Sequence, residues 1–248
     1  MIQIIGLRNI PLVKRGDNLA QLVIKAAKAE GIQVRDNDVL VVAQKIVSKA
    51  EGGVIDLKTV KPSQRAKEIA KASGKDPRHV ETILRQSAKI LRLTGPHIIV
   101  ETHHGFVCAN AGVDRSNVED ADSVVILPED PDKSARKIRR GIRQLTGADV
   151  GVVISDTFGR AWRVGQVNVA IGIAGLQPMV DYRGSKDMFG YVLNVTQMAV
   201  ADELASAAEL IMKKSDRVPV VIMRGFDNVR GAGTARDLIR PEEEDLFR

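Results

Sequence analysis

The sequence predicts a globular protein that combines helices with short buried strands. Short apolar, β-branched runs such as residues 150–154 are typical of buried strands. Between them lie segments with apolar residues at helical spacing, several of which begin at an aspartate and end near a glycine. The composition, 44% hydrophobic and 27% charged, is that of an ordinary soluble protein. A chain of 248 residues can bury a sizeable core, as one large domain or two smaller ones.

Local signals predict the elements in order along the chain. The predicted strands cover residues 2–5, 38–43, 97–102, 106–109, 123–127, 150–154 and 218–223. The predicted helices run from Asp17 to Gly31 and over residues 63–73, 77–88, 132–146 and 194–214. Asp17, Asp76 and Asp132 are the predicted N-caps, and Pro77 occupies the first helical position that proline favours.

Two lysines follow the second predicted strand, in the segment 44–52. On a helix, Lys45 and Lys49 share one face because they are four residues apart. Two lysines alone usually form a solvated face. That interpretation is weakened here because α/β proteins tend to bind ligands where a strand ends.

The loop ANAGVDRSN, residues 109–117, contains a second group of polar side chains. Asp114, Ser116 and Asn117 can form an Asx-type turn and nothing more, or they can supply a carboxylate to a metal ion. The nearby His103 and His104 are adjacent, so on a strand at most one could serve as a ligand. Hydrogen bonding or surface exposure is the favoured interpretation for both histidines.

The helix over residues 132–146 has a basic outer face. Its predicted inward residues are Ala135, Ile138, Ile142 and Leu145. Its outer residues are Lys133, Arg136, Lys137, Arg139, Arg140 and Arg143. Such a face is usually just solvated, so nucleic-acid binding is the weaker hypothesis. Farther along, the glycine-punctuated segment 177–191 is suited to a substrate-facing loop.

The stretch 147–172 carries the strongest chemical signal. The apolar run 150–154 is followed at once by Ser155, Asp156 and Thr157, and then by Arg160. A carboxylate and a hydroxyl at the end of a strand suit a hard cation such as Mg²⁺ or Mn²⁺, with an arginine to face phosphate oxygens. The same residues can also simply cap a turn, and from this stretch alone the two interpretations are about equal.

Composition and motif searches narrow the function classes. Because Cys108 is the single cysteine, an intrachain disulfide and a cysteine-based zinc site are excluded. The aromatic content of 3% argues against single-stranded nucleic-acid binding, whereas the net charge of +6 favours an anionic partner. The chain has no Walker motif, and the glycines at 231 and 233 do not complete a GxGxxG pattern. The absence of a signal peptide or a long apolar run predicts a cytoplasmic protein without a membrane span.

Two motifs together resemble a known family. The pair NAGVDRSN and SDTFGRAWRVGQVNVAIG is similar to that of the coenzyme F420-0:γ-glutamyl ligases, enzymes of deazaflavin coenzyme biosynthesis. The resemblance extends over nearly the whole chain, from IPLVKRGD and VVAQKIVSKAEG to RDLIRPEEEDLF. It implies an α+β fold of two intertwined lobes with mixed sheets, neither a P-loop nor a Rossmann fold. Residues 1–248 would form a single ligase unit with two lobes that need not be continuous.

The same resemblance implies an activity and a set of site residues. The protein would be a homodimeric ligase that uses GTP and Mg²⁺ or Mn²⁺, with two ions, to join L-glutamate to a deazaflavin precursor, without nucleic acid or membrane as a partner. The metal ligands would be Asp114, Asp156 and Thr157. The nucleotide site would comprise Pro11, Leu12, Val13, Lys14, Gln44, Lys45, Lys49 and Asn117, with a contribution from residues 212–219. The catalytic set would be Asp156, Lys45 and Arg160.

These residue types suit an acyl-phosphate mechanism. A carboxylate is a poor electrophile, so it is first activated by the γ-phosphoryl group of a nucleotide, which requires positioning and charge neutralisation by metal ions and lysine or arginine. The base for the glutamate amine is not identified by the sequence. Two other hypotheses stay open: a metal-dependent phosphotransferase or phosphohydrolase that uses the same aspartates, and a non-catalytic protein that binds polyanions through the basic helix.

Overall fold

The computed structural model describes residues 1–117, 120–226 and 230–247. Its helices are α1 (Leu19–Ala29), α2 (Gln44–Glu51), α3 (Gln64–Ser73), α4 (Pro77–Arg85), α5 (Pro131–Thr146) and α6 (Val200–Met212). Its first strands are β1 (Gln3–Leu7), β2 (Val39–Ala43), β3 (Val54–Asp56), β4 (Ser87–Thr94), β5 (His97–Thr102) and β6 (Val107–Ala109). The later strands are β7 (Ser123–Val125), β8 (Gly151–Arg160), β9 (Arg163–Ala174), β10 (Val180–Asp181), β11 (Gln197–Met198) and β12 (Val220–Arg224). The chain is α+β with mixed sheets, which confirms the predicted fold class.

The main sheet has the strand order β1-β12-β2-β8-β9. Within it, β2 and β8 are parallel and the other neighbours are antiparallel. The β2 sequence VLVVA is buried almost throughout, as expected for a strand inside a sheet that is covered on both sides. Helices α1, α5 and α6 pack around this sheet and complete the larger core.

A smaller core is built from one continuous stretch of chain. It contains α3, α4, the β4-β5-β6 sheet and the β3-β7 pair, and its centre includes Leu57, Ile83 and Ile98. Apart from Phe106, the larger core is built from the segments on either side of that stretch. The two cores meet where β6 packs against β8 and α2 packs against β7.

Several predicted boundaries are wrong, each for a local physical reason. The N-cap of α1 is Asn18, whose side chain accepts from the backbone N–H of Gln21, while Asp17 accepts from Lys14. The N-cap of α5 is Asp130. Asp132 instead lies in the first turn, where its carboxylate accepts from the backbone of β9.

Pairing with distant segments explains the remaining differences. The helix predicted over 77–88 ends at Arg85, because the next residues pair with β5 as β4. The helix predicted from residue 194 begins at Val200, since residues 197–198 pair with β10. Two expectations for α5 also need correction. Leu145 is exposed rather than inward, and the guanidinium of Arg139 is held by the carboxylate of Asp149.

Within the described residues, no helix is long and apolar enough to span a membrane.

Candidate functional site

The candidate site begins where β2 ends beside β8. Ala43, the last residue of β2, pairs with Ser155, so Asp156 is the first residue of β8 that extends past its parallel neighbour. At that point the chain of β2 turns directly into α2. The prediction that β8 stops near Asp156 is wrong, because residues 155–160 continue as one arm of a hairpin with β9. Asp156 therefore lies within a strand, next to the start of α2.

Asp114 reaches this place from the smaller core. Its backbone is bonded in both directions to Val125, which anchors the loop to β7. One carboxylate oxygen accepts from the backbone N–H of Ser116 at 2.8 Å, so the loop contains the Asx-type turn that was one of its two interpretations. The other oxygen forms an ion pair with Lys45 Nζ at 2.6 Å. The turn thus presents Asp114 to the first turn of α2.

The loop before Asp114 is held in a strained conformation. Asn110, Ala111 and Gly112 all have left-handed backbone angles, with φ of 55°, 54° and 68°. A Cβ at Gly112 would lie 2.7 Å from the side chain of Leu127, so only glycine fits there. Strain of this kind is common in loops that position functional groups.

A chain of hydrogen bonds connects α2 to β8 through residues 213–217. Lys49 Nζ donates to the carbonyl of Asn117 at 2.8 Å, and the Asn117 amide donates to the carbonyl of Lys214 at 3.4 Å. Lys214 Nζ in turn donates to the hydroxyl of Thr157 at 2.7 Å. Asn117, Lys213 and Arg217 also have positive φ angles, as is frequent around functional sites.

The two carboxylates lie in opposite electrostatic environments. Burial raises the pKa of Asp156 to about 6, and the charge of Asp114 adds to that shift. Opposing it are the Thr157 backbone N–H and the charges of Lys45 and Lys214. Burial also disfavours ionisation of Asp114, but hydrogen bonds from Lys45 and Ser116 outweigh it, so its pKa is lowered. Pairs of groups shifted in opposite directions are typical of functional sites.

Cys108 lies close to Asp156 and marks the apolar side of the site. Burial raises the pKa of its thiol to about 12, with a further contribution from the charge of Asp156. The side chain is therefore a neutral, buried thiol.

The first residue of α2, Gln44, has buried polar atoms without a partner in the described part of the chain. Gln44 is 2% exposed, and within the described residues neither its amide oxygen nor its amide nitrogen has a hydrogen-bond partner. The same is true of the Ser155 hydroxyl and the Asn110 side-chain oxygen. Buried polar atoms are nearly always bonded, so such a group indicates a place where a polar ligand completes the bonding.

The structure brings together most of the residues that the sequence singled out. This cluster, called the carboxylate cluster below, contains Gln44, Lys45, Lys49, Asp114, Asn117, Asp156 and Thr157. Thr157 joins through its contacts with Lys214 and Asn168, on the strand face opposite to Asp156.

Other predicted site residues lie farther away. Arg160 is four residues beyond Asp156, about 13 Å along the strand. There its guanidinium donates to the carbonyl of Val164 at 2.7 Å. The segment with Pro11, Leu12, Val13 and Lys14 is anchored through Gly16 to Ala50, at the end of α2 remote from Gln44. Their roles stay predictions.

The histidines have structural contacts, as expected. The Nε2 atoms of His103 and His104 lie 3.1 and 2.9 Å from the backbone carbonyls of Arg85 and Pro128. Asn168, whose side chain bonds Thr157, was not among the predicted site residues. It lies in the SDTFGRAWRVGQVNVAIG motif, so the conspicuous length of that motif was the available signal.

Two carboxylates beside lysines and a helix start define a class of site suited to metal-assisted phosphate chemistry. Within the described residues, no group of three or more histidine, cysteine, aspartate or glutamate side chains could hold a metal by itself. The two carboxylates of Asp114 and Asp156 nevertheless fit Mg²⁺, which is usually bound by one or two carboxylates together with substrate phosphates.

Comparison with known proteins identifies the family. A family model described as F420-0:Gamma-glutamyl ligase matches residues 7–225. The chain is 49% identical to the coenzyme F420:L-glutamate ligase of Methanothermobacter thermautotrophicus, over all of this chain and 99% of that protein. It is 47% identical to the protein of that name from Methanocaldococcus jannaschii and 45% to that from Archaeoglobus fulgidus, over all of this chain and 97% and 96% of theirs. The chain belongs to the F420-0:γ-glutamyl ligase family, which confirms the resemblance found in the sequence.

Proposed function

We propose that this protein is a cytoplasmic ligase that adds L-glutamate to the deazaflavin precursor coenzyme F420-0. The reaction consumes GTP, requires Mg²⁺ or Mn²⁺, and forms first an amide and then a γ-glutamyl linkage. The observation that carries the proposal is the carboxylate cluster: Asp114 and Asp156, one from each core, meet beside Lys45 at the start of α2. The names and full-length similarity of the relatives support the same substrates.

The start of α2 supports a site for the nucleotide phosphates. No side chain caps this helix, and no acidic residue lies in its first turn. An uncapped helix start presents backbone N–H groups and a positive dipole end, which favour phosphate. Lys45 and Lys49 add two positive charges, and the unpaired amide of Gln44 offers both a donor and an acceptor. In this proposal Gln44 bonds the nucleotide and the lysines neutralise its phosphate oxygens.

Asp114 and Asp156 are the proposed metal-binding residues, while the role of Thr157 as a ligand stays a prediction because its hydroxyl bonds Asn168 and Lys214 on the opposite face of β8. A bound divalent cation would supply positive charge to the phosphate oxygens during transfer. The fit rests on the donor chemistry: two carboxylates close enough for the charge of Asp114 to raise the pKa of Asp156, with the hydroxyl of Ser155, which is unpaired within the described residues, adjacent in sequence.

The residues of this chain act by positioning and by neutralising charge. In-line transfer of a phosphoryl group needs little covalent help from protein, so the acceptor carboxylate must only be held against the γ-phosphate. Lys45 is tied to Asp114, which fixes its ammonium group at the start of α2, where it can face the transferred group. The base for the glutamate amine is not assigned: His104 Nε2 contacts the Pro128 carbonyl, and its buried Nδ1 has no partner within the described residues.

The β8–β9 hairpin carries a surface suited to a homodimer contact. Trp162 and Val164 at the hairpin tip are 87% and 98% exposed, and Phe189 in the following segment is 87% exposed. Exposed apolar groups of this size mark interaction surfaces. In a homodimer built on this tip, Arg160 would serve the site of the second subunit rather than its own. The segment 177–191 would then lie at the contact.

The first test is mass spectrometry of the deazaflavin precursor after incubation with protein, GTP, Mn²⁺ and L-glutamate. We expect a product heavier by one or two glutamyl units that disappears when any component is omitted. Consumption of nucleotide without glutamate would instead support a phosphotransferase or phosphohydrolase. No reaction, together with steeply salt-dependent binding of nucleic acid, would support the polyanion-binding hypothesis.

The role of Arg160 across a dimer has its own test. Asp156→Asn and Arg160→Ala are each expected to be inactive, and they are mixed and allowed to exchange subunits. A hybrid dimer contains one intact site if Arg160 acts across the interface, so we expect about a quarter of the wild-type activity. If Arg160 acts within its own subunit, the mixture stays inactive.

A further inference from the structure

A cavity lies beside the carboxylate cluster, and none of the functions proposed above uses it. It has a volume of about 270 Å³ and is bordered by the turn before β6, the β8–β9 hairpin, the start of α6 and the segment 235–247. It is called the aromatic pocket below. Its lining includes Phe106, Phe158, Phe247, Leu238, Ile239 and Asp202.

The aromatic pocket concentrates a scarce residue type. The chain has five phenylalanines, and three of them line this one cavity. The rings of Phe106 and Phe158 meet edge to face, with centroids 6.3 Å apart. At the rim, Phe247 contacts the indole of Trp162 at 5.9 Å. Aromatic walls of this kind pack well against a flat conjugated ring.

The position of the pocket connects it to the proposed chemistry. Phe158 follows Asp156 by two residues, so their side chains share one face of β8 at a spacing of about 7 Å. Phe106 lies two residues before Cys108, and the charge of Asp156 raises the pKa of the Cys108 thiol. A ligand bound between the phenylalanines therefore lies next to the carboxylate cluster.

Three charged residues, Asp202, Arg240 and Asp245, line this otherwise apolar pocket. Asp202, in the first turn of α6, uses Oδ1 to accept from the backbone N–H of Ala170 at 2.8 Å. No hydrogen bond engages its Oδ2 within the described part of the chain. Burial raises the pKa of this carboxyl, as expected for an acid held among apolar side chains. Asp202 can therefore accept one hydrogen bond from a ligand N–H.

We propose that the aromatic pocket binds the tricyclic deazaflavin ring of the substrate, with the phenylalanines packed on the ring and Asp202 accepting from its imide N–H. This inference rests on the proposed function and assigns a part of the substrate to a place in the fold. The volume is near the lower end of the ~300–1,000 Å³ typical of small-molecule sites, so it holds the ring but not the whole precursor. The ribityl and lactyl-phosphate chain then extends along β8 towards Asp156.

The test is a titration of the protein with a deazaflavin that carries the ribityl chain but no phosphate. Binding is measured by the fluorescence of the deazaflavin itself. GTP, metal and glutamate are omitted, so the result does not depend on catalysis. Phe247→Ala is expected to weaken binding about tenfold, because it removes one aromatic wall. Phe247 is 55% exposed, so its removal leaves the core intact. Asp202→Asn keeps the acceptor for Ala170 and is expected to weaken binding several-fold.

The matched control is Leu246→Ala, a neighbour of Phe247 that is 83% exposed and does not line the pocket. We expect its affinity to stay within about twofold of wild type. Equal affinity of Phe247→Ala and wild type, or an equal loss in the control, would overturn the pocket assignment. If wild type ligates glutamate while both pocket variants bind normally, only this inference fails. If wild type neither binds the ring nor ligates glutamate, the proposed function fails with it.

Discussion

The two cores each supply one carboxylate to the same site, and the environments of the two carboxylates shift their pKa values in opposite directions. Asp114 comes from a strained loop of the smaller core and is bonded by Lys45 and Ser116, which lower its pKa. Asp156 comes from a strand of the main sheet, where burial raises its pKa to about 6. The difference shows that the Asp114 carboxylate meets a compensating charge, Lys45 of α2, whereas burial leaves the Asp156 carboxylate less well compensated.

The largest expected effect comes from removing either carboxylate charge. Asp156→Asn and Asp114→Asn are each expected to lower ligase turnover by about 10³-fold or more, since both are proposed to hold the metal. Their stabilities, measured by urea unfolding without added metal, should move in opposite directions. Asp114→Asn removes an ion pair and costs about 1 kcal/mol, while Asp156→Asn removes a charge that burial disfavours and should raise the stability. Equal losses of stability in the two variants would contradict the comparison.

The arginine–carboxylate pairs of the two cores provide a second contrast. In the main sheet, Arg224 binds the buried Asp38 through two hydrogen bonds of 2.7 Å each. Arg224→Ala leaves that carboxylate unpaired, so we expect a loss of about 3 kcal/mol in the free energy of unfolding. In the smaller core, Arg78 binds the more exposed Asp76. Arg78→Ala should cost clearly less, and a larger loss there would refute the expected ranking.

The two lysines of α2 are expected to differ in catalysis. Lys45 contacts Asp114 and is proposed to face the transferred phosphate, so Lys45→Ala should lower kcat/KM about 100-fold. Lys49 contacts the backbone carbonyl of Asn117, so Lys49→Ala should cost about tenfold and mainly raise the KM for GTP. Steady-state kinetics with GTP as the varied substrate separates them. A larger effect at Lys49 would reverse the proposed roles.

The smallest effect is a dependence of stability on acidic pH in the smaller core. Hydrogen bonds from Arg78 lower the pKa of Asp76 to about 2, from 3.8 for an unperturbed aspartate. The folded state therefore holds this proton less tightly than the unfolded chain, so the carboxylate stabilises the fold above pH 3.8 and loses that effect as the pH falls towards 2. Asp76→Asn should be less stable than wild type by under about 1 kcal/mol at pH 5. That gap should narrow by pH 2.5, and a constant gap would contradict this origin.

Local signals were sufficient for much of the fold. The β-branched run at residues 39–43 and the Asp76–Pro77 helix start are encoded by their own residues, and the structure confirms both. The sequence did not show which distant segments pair with each other as strands. The polar residues 155–160 form a strand only because they pair with β9. Residues 197–198 are not helical because they pair with β10.

For the site, the sequence by itself was sufficient to name the candidate residues and the family to which the chain belongs. Lys45, Asp114 and Asp156 stand in motifs long enough to be specific. Only the tertiary structure decided that they meet, because the parallel pairing of β2 with β8 joins segments about 110 residues apart, and the packing of the two cores brings Asp114 to Lys45, about 70 residues earlier. It also decided that Arg160 lies at the hairpin tip and that three phenylalanines share a pocket, since both depend on contacts that no local pattern encodes.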